Sequence, residues 1–341
     1  MDEVRLVDWL RAERDQRVDH GLYYNTQIMF AWNSNHMEGS TLSPEQTAQL
    51  FTTGAVLPSN VDDEIRADDV VETTNHFRVF DWLLDHVDDL VDDALLFSLH
   101  GLLKRGTSQE RDPNRNVGGY KRLPNVISQL EGIHTVLPGD VPKAMNEVST
   151  LYAQLRDDPF EIAKAHWMFE TTHPFSDGNG RVGRLVMFKE LLRLDSIPPL
   201  LQDKHRNLYT RGLHRFPEHP GFLIDLLLAE RDAYQTLVED LAPGKIRYSY
   251  VDHWDADSVA KRIAVRPIVN AHLKRFWDDQ DIDSSPDRSA DSAPLFEAGQ
   301  NDDHVPRDIA SDSGISPRHV SWDVHLNGSE TSLDSGPTMG K

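Results

Sequence analysis

Twelve residues, His173-Pro-Phe-Ser-Asp-Gly-Asn-Gly-Arg-Val-Gly-Arg184, bring together an imidazole, a carboxylate, three glycines, an asparagine and two arginines. Gly178 and Gly180 let the backbone turn its N–H groups inward without a Cβ in the way. The apolar run that follows, through Leu192, reads as a helix, whose first turn offers unpaired N–H groups and the positive end of a dipole to an anion. Arg181 and Arg184 stand three apart and share a face of that helix, so both can reach one phosphate chain. Asp177 is an oxygen ligand suited to Mg²⁺, which commonly binds one or two carboxylates together with substrate phosphates. His173 is the side chain here whose unperturbed pKa suits proton abstraction near neutral pH. The competing reading of the same residues is a glycine-rich capping loop whose arginines form surface pairs.

These residues match, position by position, the His-x-Phe-x-Asp/Glu-Gly-Asn-Gly-Arg-x-x-Arg signature of the Fic-domain family. The resemblance covers residues 22–240 and implies a mostly α-helical Fic-type bundle with a small β-hairpin flap. It implies transfer of AMP from ATP to a Tyr, Thr or Ser hydroxyl of a target protein, self-modification included. By the same resemblance His173 is the base, Asp177 carries Mg²⁺, and Gly178, Asn179, Gly180, Arg181 and Arg184 hold the phosphates.

Three further stretches resemble family elements. Gly119-Tyr120-Lys121 resembles the start of the flap over the active site, with Asn125 and Val126 in the flap itself, where a hairpin edge would register a target backbone by β-augmentation. Tyr209-Thr210-Arg-Gly-Leu resembles the Tyr-Tyr-x-x-Leu element near the nucleotide base; Thr210 departs from the paired aromatic and no Asn follows soon after, which leaves base selectivity open. Ser34-x-x-x-Glu38-Gly39 resembles the family's inhibitory motif, placed upstream of the core on the same chain. On residues alone, a Glu at a helix end followed by Gly is a solvated side chain beside a C-cap. The resemblance implies a bidentate Glu38–Arg184 pair that removes the cation meant for the γ-phosphate. Alternatives are a non-catalytic ATP- or ADP-binding module and an enzyme that removes AMP, with Glu38 positioning water.

The elements that must position these groups are helices. Periodicity predicts helices over 3–19 (Val4, Val7, Leu10, Val18), over 22–36, from Ser43-Pro-Glu-Gln46, from Asp68-Asp69, and through Leu95–Leu103 to a stop at Gly106. Ser43 with Gln46 has capping-box spacing. The stretch Arg111–Gly139 is punctuated by Pro, Asn and Gly, and its β-type residues at Val126-Ile127 and Ile133–Leu137 suggest a loop and hairpin. Helices resume from Pro142, over Phe160–Thr172, after the motif as far as Pro198-Pro199, over Asp203–Leu213, over Phe222–Leu241, and over Val259–Trp277. The domain reading is N-terminal helices with the inhibitory motif over 1–66, a catalytic core over 67–240, a helical extension over 241–278, and an acidic tail over 279–341.

Composition sets the class. The 341 residues are 38% hydrophobic and 27% charged, as in soluble globular chains. No run approaches a membrane helix, and the polar, acidic N-terminus is unlike a signal peptide, so a cytoplasmic location without membrane contact is expected. Cysteine is absent, which excludes disulfides, thiolate catalysis and Cys-zinc sites. A formal charge of −21 argues against general nucleic-acid binding. Residues 279–341 carry 13 acidic and 4 basic side chains among Ser, Pro and Gly, a composition that cannot bury a core and is expected to be disordered. A homo-oligomer is compatible with everything above.

Overall fold

Short polar caps alternating with apolar stripes produce helices packed on helices. The computed structural model describes residues 3–58, 64–125 and 135–264. Along the described chain run α1 (Leu6–Gln16), α2 (Leu22–His36), α3 (Pro44–Thr53), α4 (Ala67–Asp85), α5 (Asp93–Lys104), α6 (Val141–Ala153), α7 (Pro159–Thr172), α8 (Asn179–Arg193), α9 (Arg206–Arg215), α10 (Gly221–Leu241) and α11 (Ala256–Ala264). Two short strands, β1 (Val4–Arg5) and β2 (Ile246–Arg247), pair in parallel with Val4 opposite Ile246. Among the described residues no helix is long and apolar enough to cross a membrane.

The cap at Ser43 does what its spacing predicts. Ser43 Oγ accepts from Gln46 N at 3.1 Å while Gln46 Oε1 accepts from Ser43 N at 2.9 Å, closing the box that starts α3. Asp158 Oδ1 accepts from Glu161 N at 3.0 Å, with Pro159 in the first turn, and so starts the helix that leads to His173.

Helix α8 is the centre of the bundle. Every residue from Asn179 to Leu192 is buried, because α2, α4, α5 and α7 surround it. Phe188 on α8 lies 5.1 Å from Phe30 of α2, 5.5 Å from Phe80 of α4 and 5.7 Å from Tyr234 of α10, ring centre to ring centre. One apolar cluster runs from Leu6 to Val259. The motif therefore sits where a central helix begins, with neighbouring helices able to aim side chains at its first turn.

Three boundaries differ from the periodicity reading. Residues 3–5 do not belong to α1: Val4 joins β1, and Arg5 ion-pairs with Asp195. Val18 lies beyond the end of α1 and is exposed. Helix α8 stops at Arg193, before Pro198-Pro199, because Asp195 adopts a left-handed conformation (φ 53°) and Ser196 N turns back to Leu191 O at 2.9 Å. The small sheet in the described chain is this parallel pair; residues 126–134 of the expected hairpin, Val126 among them, lie outside the described residues. So do the expected continuation of the last helix beyond Ala264 and the acidic tail.

Candidate active site

His173 is the C-cap of α7, in a left-handed conformation (φ 51°) that swings the chain from the helix into the motif loop. Its N–H donates to Phe169 O at 3.0 Å. Ring Nδ1 lies 3.3 Å from Glu170 O. A carbonyl only accepts, so Nδ1 carries the proton and Nε2 keeps the lone pair. Burial, reinforced by Lys121, lowers the imidazole pKa to about 4. At neutral pH His173 is an uncharged base.

The loop from His173 to α8 is closed by Asn179. Its Oδ1 accepts from Phe175 N at 2.7 Å and its Nδ2 donates to Phe175 O at 2.9 Å. That side chain is turned inward and shapes the cradle, a use that differs from the direct phosphate contact the resemblance implies. Gly178 caps α8 with φ 77°, and a Cβ there would meet Lys104 Cε at 3.1 Å. A Cβ on Gly180 would meet Glu38 Oε1 at 2.3 Å and Arg184 Nη1 at 2.8 Å, so only glycine admits the Glu38 carboxylate at this point. That carboxylate stands over the first turn of α8, the place where a helix N-terminus favours an anion.

Ser34 and Glu38 both meet Arg184. Arg184 Nε donates to Ser34 Oγ at 3.0 Å, and Nη2 donates to Ser34 O at 2.9 Å and to Glu38 Oε1 at 2.8 Å. The expected two-oxygen fork with Glu38 is thus replaced by a shared grip: one Glu38 oxygen, with Ser34 taking the rest. The reason is that Ser34 lies on the last turn of α2 and reaches Nε first. Burial raises the Glu38 pKa, but Arg184 and Arg181 outweigh it and hold the group below the usual carboxylate range. The ion pair is intact at neutral pH.

Asp177 lies in a four-membered ring of charge. Its Oδ2 accepts from Lys104 Nζ, from Gln109 Nε2 at 3.0 Å and from Arg181 Nη2 at 3.2 Å. Lys104 also reaches Glu72 Oε1 at 2.5 Å, and Arg181 Nη1 pairs with Glu72 Oε2. Burial raises the Asp177 pKa, yet Lys104 and Arg181 prevail and hold it well below the ordinary value. Among the described residues no group of three or more His, Asp or Glu is arranged to hold a metal ion. A single ionised, 36%-exposed carboxylate fits Mg²⁺ only as an ion that brings phosphate oxygens with it.

Around this centre lie groups the sequence reading did not single out. Glu72, Lys104 and Glu170 are charged residues on helices of otherwise ordinary pattern, while Lys121 is named only as part of the stretch resembling the start of the flap. Lys104 did carry a signal: it continues the apolar stripe Leu96–His100–Leu103, and a lysine on a buried stripe needs a buried partner. Tyr209 is buried beside Arg184, its hydroxyl 2.7 Å from His166 Nε2; Thr210 follows it on α9, half-buried. Burial raises the Glu170 pKa to about 8, only partly opposed by Arg184, so at neutral pH this carboxyl is protonated. Asn125 Nδ2 donates to Phe175 O at 2.9 Å. Lys121 Nζ donates to Asn125 Oδ1 at 2.7 Å and Thr135 Oγ1 at 2.9 Å, while Lys121 N donates to Pro174 O at 2.8 Å. Asn125 is thereby fastened to the motif loop, and Thr135 to Asn125 and Lys121. Burial lowers the Lys121 pKa to about 7.

The arrangement offers a neutral imidazole beside a cationic, glycine-lined helix start, with Arg184 held by Glu38 and Arg181 by Glu72 and Asp177. Residues 90–191 match the model of the Fic/DOC family. A protein of Aedes aegypti named "Protein adenylyltransferase Fic" is 27% identical over 203 residues, covering 58% of this chain and 37% of that protein. The chain therefore spans little more than a third of the length of this curated relative. A Fic domain containing signaling protein from Bacteroides thetaiotaomicron is similar in structure, with TM-score 0.52 and 20% identity over 67% of this chain and 97% of that one. A Fic family protein from Desulfovibrio desulfuricans is similar too, with TM-score 0.52 and 22% identity over 74% of this chain and 75% of that one. At those identities the two structures speak for a shared helical fold.

Proposed function

This chain is a Fic-domain protein, and from that premise we propose that it is a protein adenylyltransferase that moves AMP from ATP to a side-chain hydroxyl of a target protein and of itself, restrained by its own Glu38. In this reading the hydroxyl oxygen attacks the α-phosphorus, its proton passes to His173 Nε2, and the bond to the β-phosphate breaks to release pyrophosphate. Arg181, Arg184 and the backbone N–H groups at the start of α8 hold charge as it shifts onto the leaving group. Asp177 is the residue that would hold Mg²⁺, which when bound neutralises phosphate charge. Tyr209 lines the site on the α9 side, with Thr210 next to it.

The observation that carries the reading is the neutral His173 standing at the mouth of a cradle whose Arg184 is gripped by Ser34 and Glu38. A module that only binds nucleotide has no use for an imidazole kept unprotonated near neutral pH. The restraint follows from competition: Glu38 lies where α8 and Arg184 would receive the terminal phosphate, so ATP enters with its α-phosphorus displaced from in-line attack.

The test is incubation of Glu38→Gly protein with ATP and Mg²⁺, followed by intact mass and by labelling of lysate proteins. AMP adducts that vanish when His173→Ala is added support the reading, since loss of a general base costs about 10²–10⁴-fold. Tight ATP binding with no adduct on any protein refutes it. Loss of AMP from pre-modified proteins, in place of gain, would assign Glu38 the positioning of water instead.

A further inference from the structure

Glu72, Lys104, Asp177 and Arg181 come from four different segments, α4, α5, the motif loop and α8. Each cation of the set bridges both carboxylates: Lys104 joins Glu72 Oε1 to Asp177 Oδ2, and Arg181 joins Glu72 Oε2 to the same Asp177 oxygen. The formal charges cancel. The ring is unequal in exposure, however. The side chains of Lys104 and Arg181 are 0% and 4% exposed, that of Glu72 14% and that of Asp177 36%. Asp177 is the one corner open to a ligand, and its Oδ2 already takes three donors, Lys104, Gln109 and Arg181.

A buried lysine has no solvent to fall back on. Its ammonium must remain against carboxylates or lose its charge. Lys104 is further confined by packing, since its Cε lies where a side chain on Gly178 would be. It therefore stays on Asp177 when a ligand arrives, and any divalent cation on that carboxylate meets a fixed positive charge on the same group. Glu72 acts in the opposite sense. It supplies the second carboxylate that Lys104 and Arg181 need, and without it both cations would rest on Asp177 alone.

We infer that Lys104 competes with a divalent cation for Asp177, that Glu72 relieves this competition, and that this opposed pair sets the metal affinity of the site. The inference rests on the reading of Asp177 as the metal-holding residue. Neither Lys104 nor Glu72 touches the reacting atoms; both act through Asp177 as positioning residues. Partners of a ligating group typically change metal affinity about 10- to 100-fold when removed. Opposite signs for two residues in one ring are what a purely structural role cannot produce.

The experiment measures Mn²⁺ binding, a hard divalent ion of the same oxygen preference, by loss of the free-ion electron paramagnetic resonance signal in ADP-saturated protein. ADP affinity in EDTA is measured beside it, so that loss of a charge near the phosphates is scored separately. Lys104→Met is expected to tighten Mn²⁺ binding about 10-fold or more, and Glu72→Gln to weaken it by a similar factor. Lys104→Gln, which keeps a donor between the two carboxylates, is the second variant if the Met variant does not fold, and its shift has the same sign. Asp177→Ala separates the two levels of inference. If it removes Mn²⁺ binding while Lys104 and Glu72 variants shift affinity in the same direction, or not at all, the competition is overturned and the metal reading stands. If Asp177→Ala binds Mn²⁺ as the wild type does, the metal reading itself fails.

Discussion

Replacing Glu38 by Gly removes one contact, and its consequence can be worked from the geometry. The carboxylate makes a single charge-assisted hydrogen bond of 2.8 Å to Arg184 Nη2, on a guanidinium that is 3% exposed. A hydrogen bond to a charged group is worth about 1.5–3 kcal/mol net. At about 1.4 kcal/mol per tenfold, displacing it costs an incoming phosphate roughly 10- to 150-fold. Arg184 keeps its two bonds to Ser34, so the guanidinium remains aimed while the competitor is gone. Transfer should therefore rise about 10- to 150-fold. Glu38→Ala should match Glu38→Gly, because the effect belongs to the carboxylate. Glu38→Gln, which keeps the volume and loses the charge, should fall between. Incorporation of AMP from ATP labelled in the α-phosphate is the assay, at equal folded concentration, with Glu38→Gly/His173→Ala as the blank. If Glu38→Gly and Glu38→Ala label neither themselves nor lysate proteins faster than wild type, the restraint ascribed to Glu38 does not exist, whatever else the site does.

Two further outcomes concern protons. His173 must be neutral to act, so transfer should fall once pH drops into the range where it protonates, about 4 with Glu38 present and lower in the Glu38→Gly background because that carboxylate raises the value, and Lys121→Met should move the midpoint upward because a nearby cation is lost. The groups facing this ring besides Lys121 are Glu38 and Asp177, and an NMR titration of the His173 Cε1 proton in the single and double variants reads the shift directly. Glu170 has a folded pKa raised to about 8, so its protonated form favours the folded state at low pH and that contribution is lost as pH rises through about 8. Glu170→Gln, neutral at every pH, should flatten the decline between the ordinary carboxylate range and about pH 8 in urea unfolding; an unchanged profile would mean that Glu170 is not protonated in the fold.

Some of this molecule is written locally and some is not. The loop 173–184 was legible because its chemistry and its backbone needs, left-handed caps and close approach at Gly180, are satisfied within twelve residues. The capping box at Ser43 and the start of α7 are equally local. The grip on Arg184 was legible as a pairing but not in detail, since which guanidinium nitrogen meets Ser34 depends on how α2 crosses α8. Glu72 and Lys104 escaped for a common reason. A charged side chain in a helix looks solvated until packing 32, 73 or 109 residues away supplies its partner. Val4 escaped for a different one: two residues of strand look like the first turn of the helix that follows them.

The helix that leads to Glu38, α2, is fastened along its length. Thr26 Oγ1 meets Tyr234 OH at 2.8 Å, Gln27 donates to Phe77 O at 3.1 Å, Phe30 stacks in the aromatic centre, and Asn33 Oδ1 takes Asp203 N at 2.8 Å. Such a helix cannot leave as a body without opening the core, which is a slow, global event. The turn after it is tied back as well, Glu38 N to Asn35 O at 3.0 Å and Gly39 N to His36 O at 2.9 Å, which leaves the partly exposed Glu38 side chain as the part free to turn. Under the proposed restraint, release is thus a matter of one side chain changing rotamer, on a clock of nanoseconds to microseconds and not of seconds. A switch of that kind keeps no memory. Once whatever frees Glu38 is withdrawn, the carboxylate returns to Arg184 faster than a turnover, and the protein would report the present state of its signal with no lag.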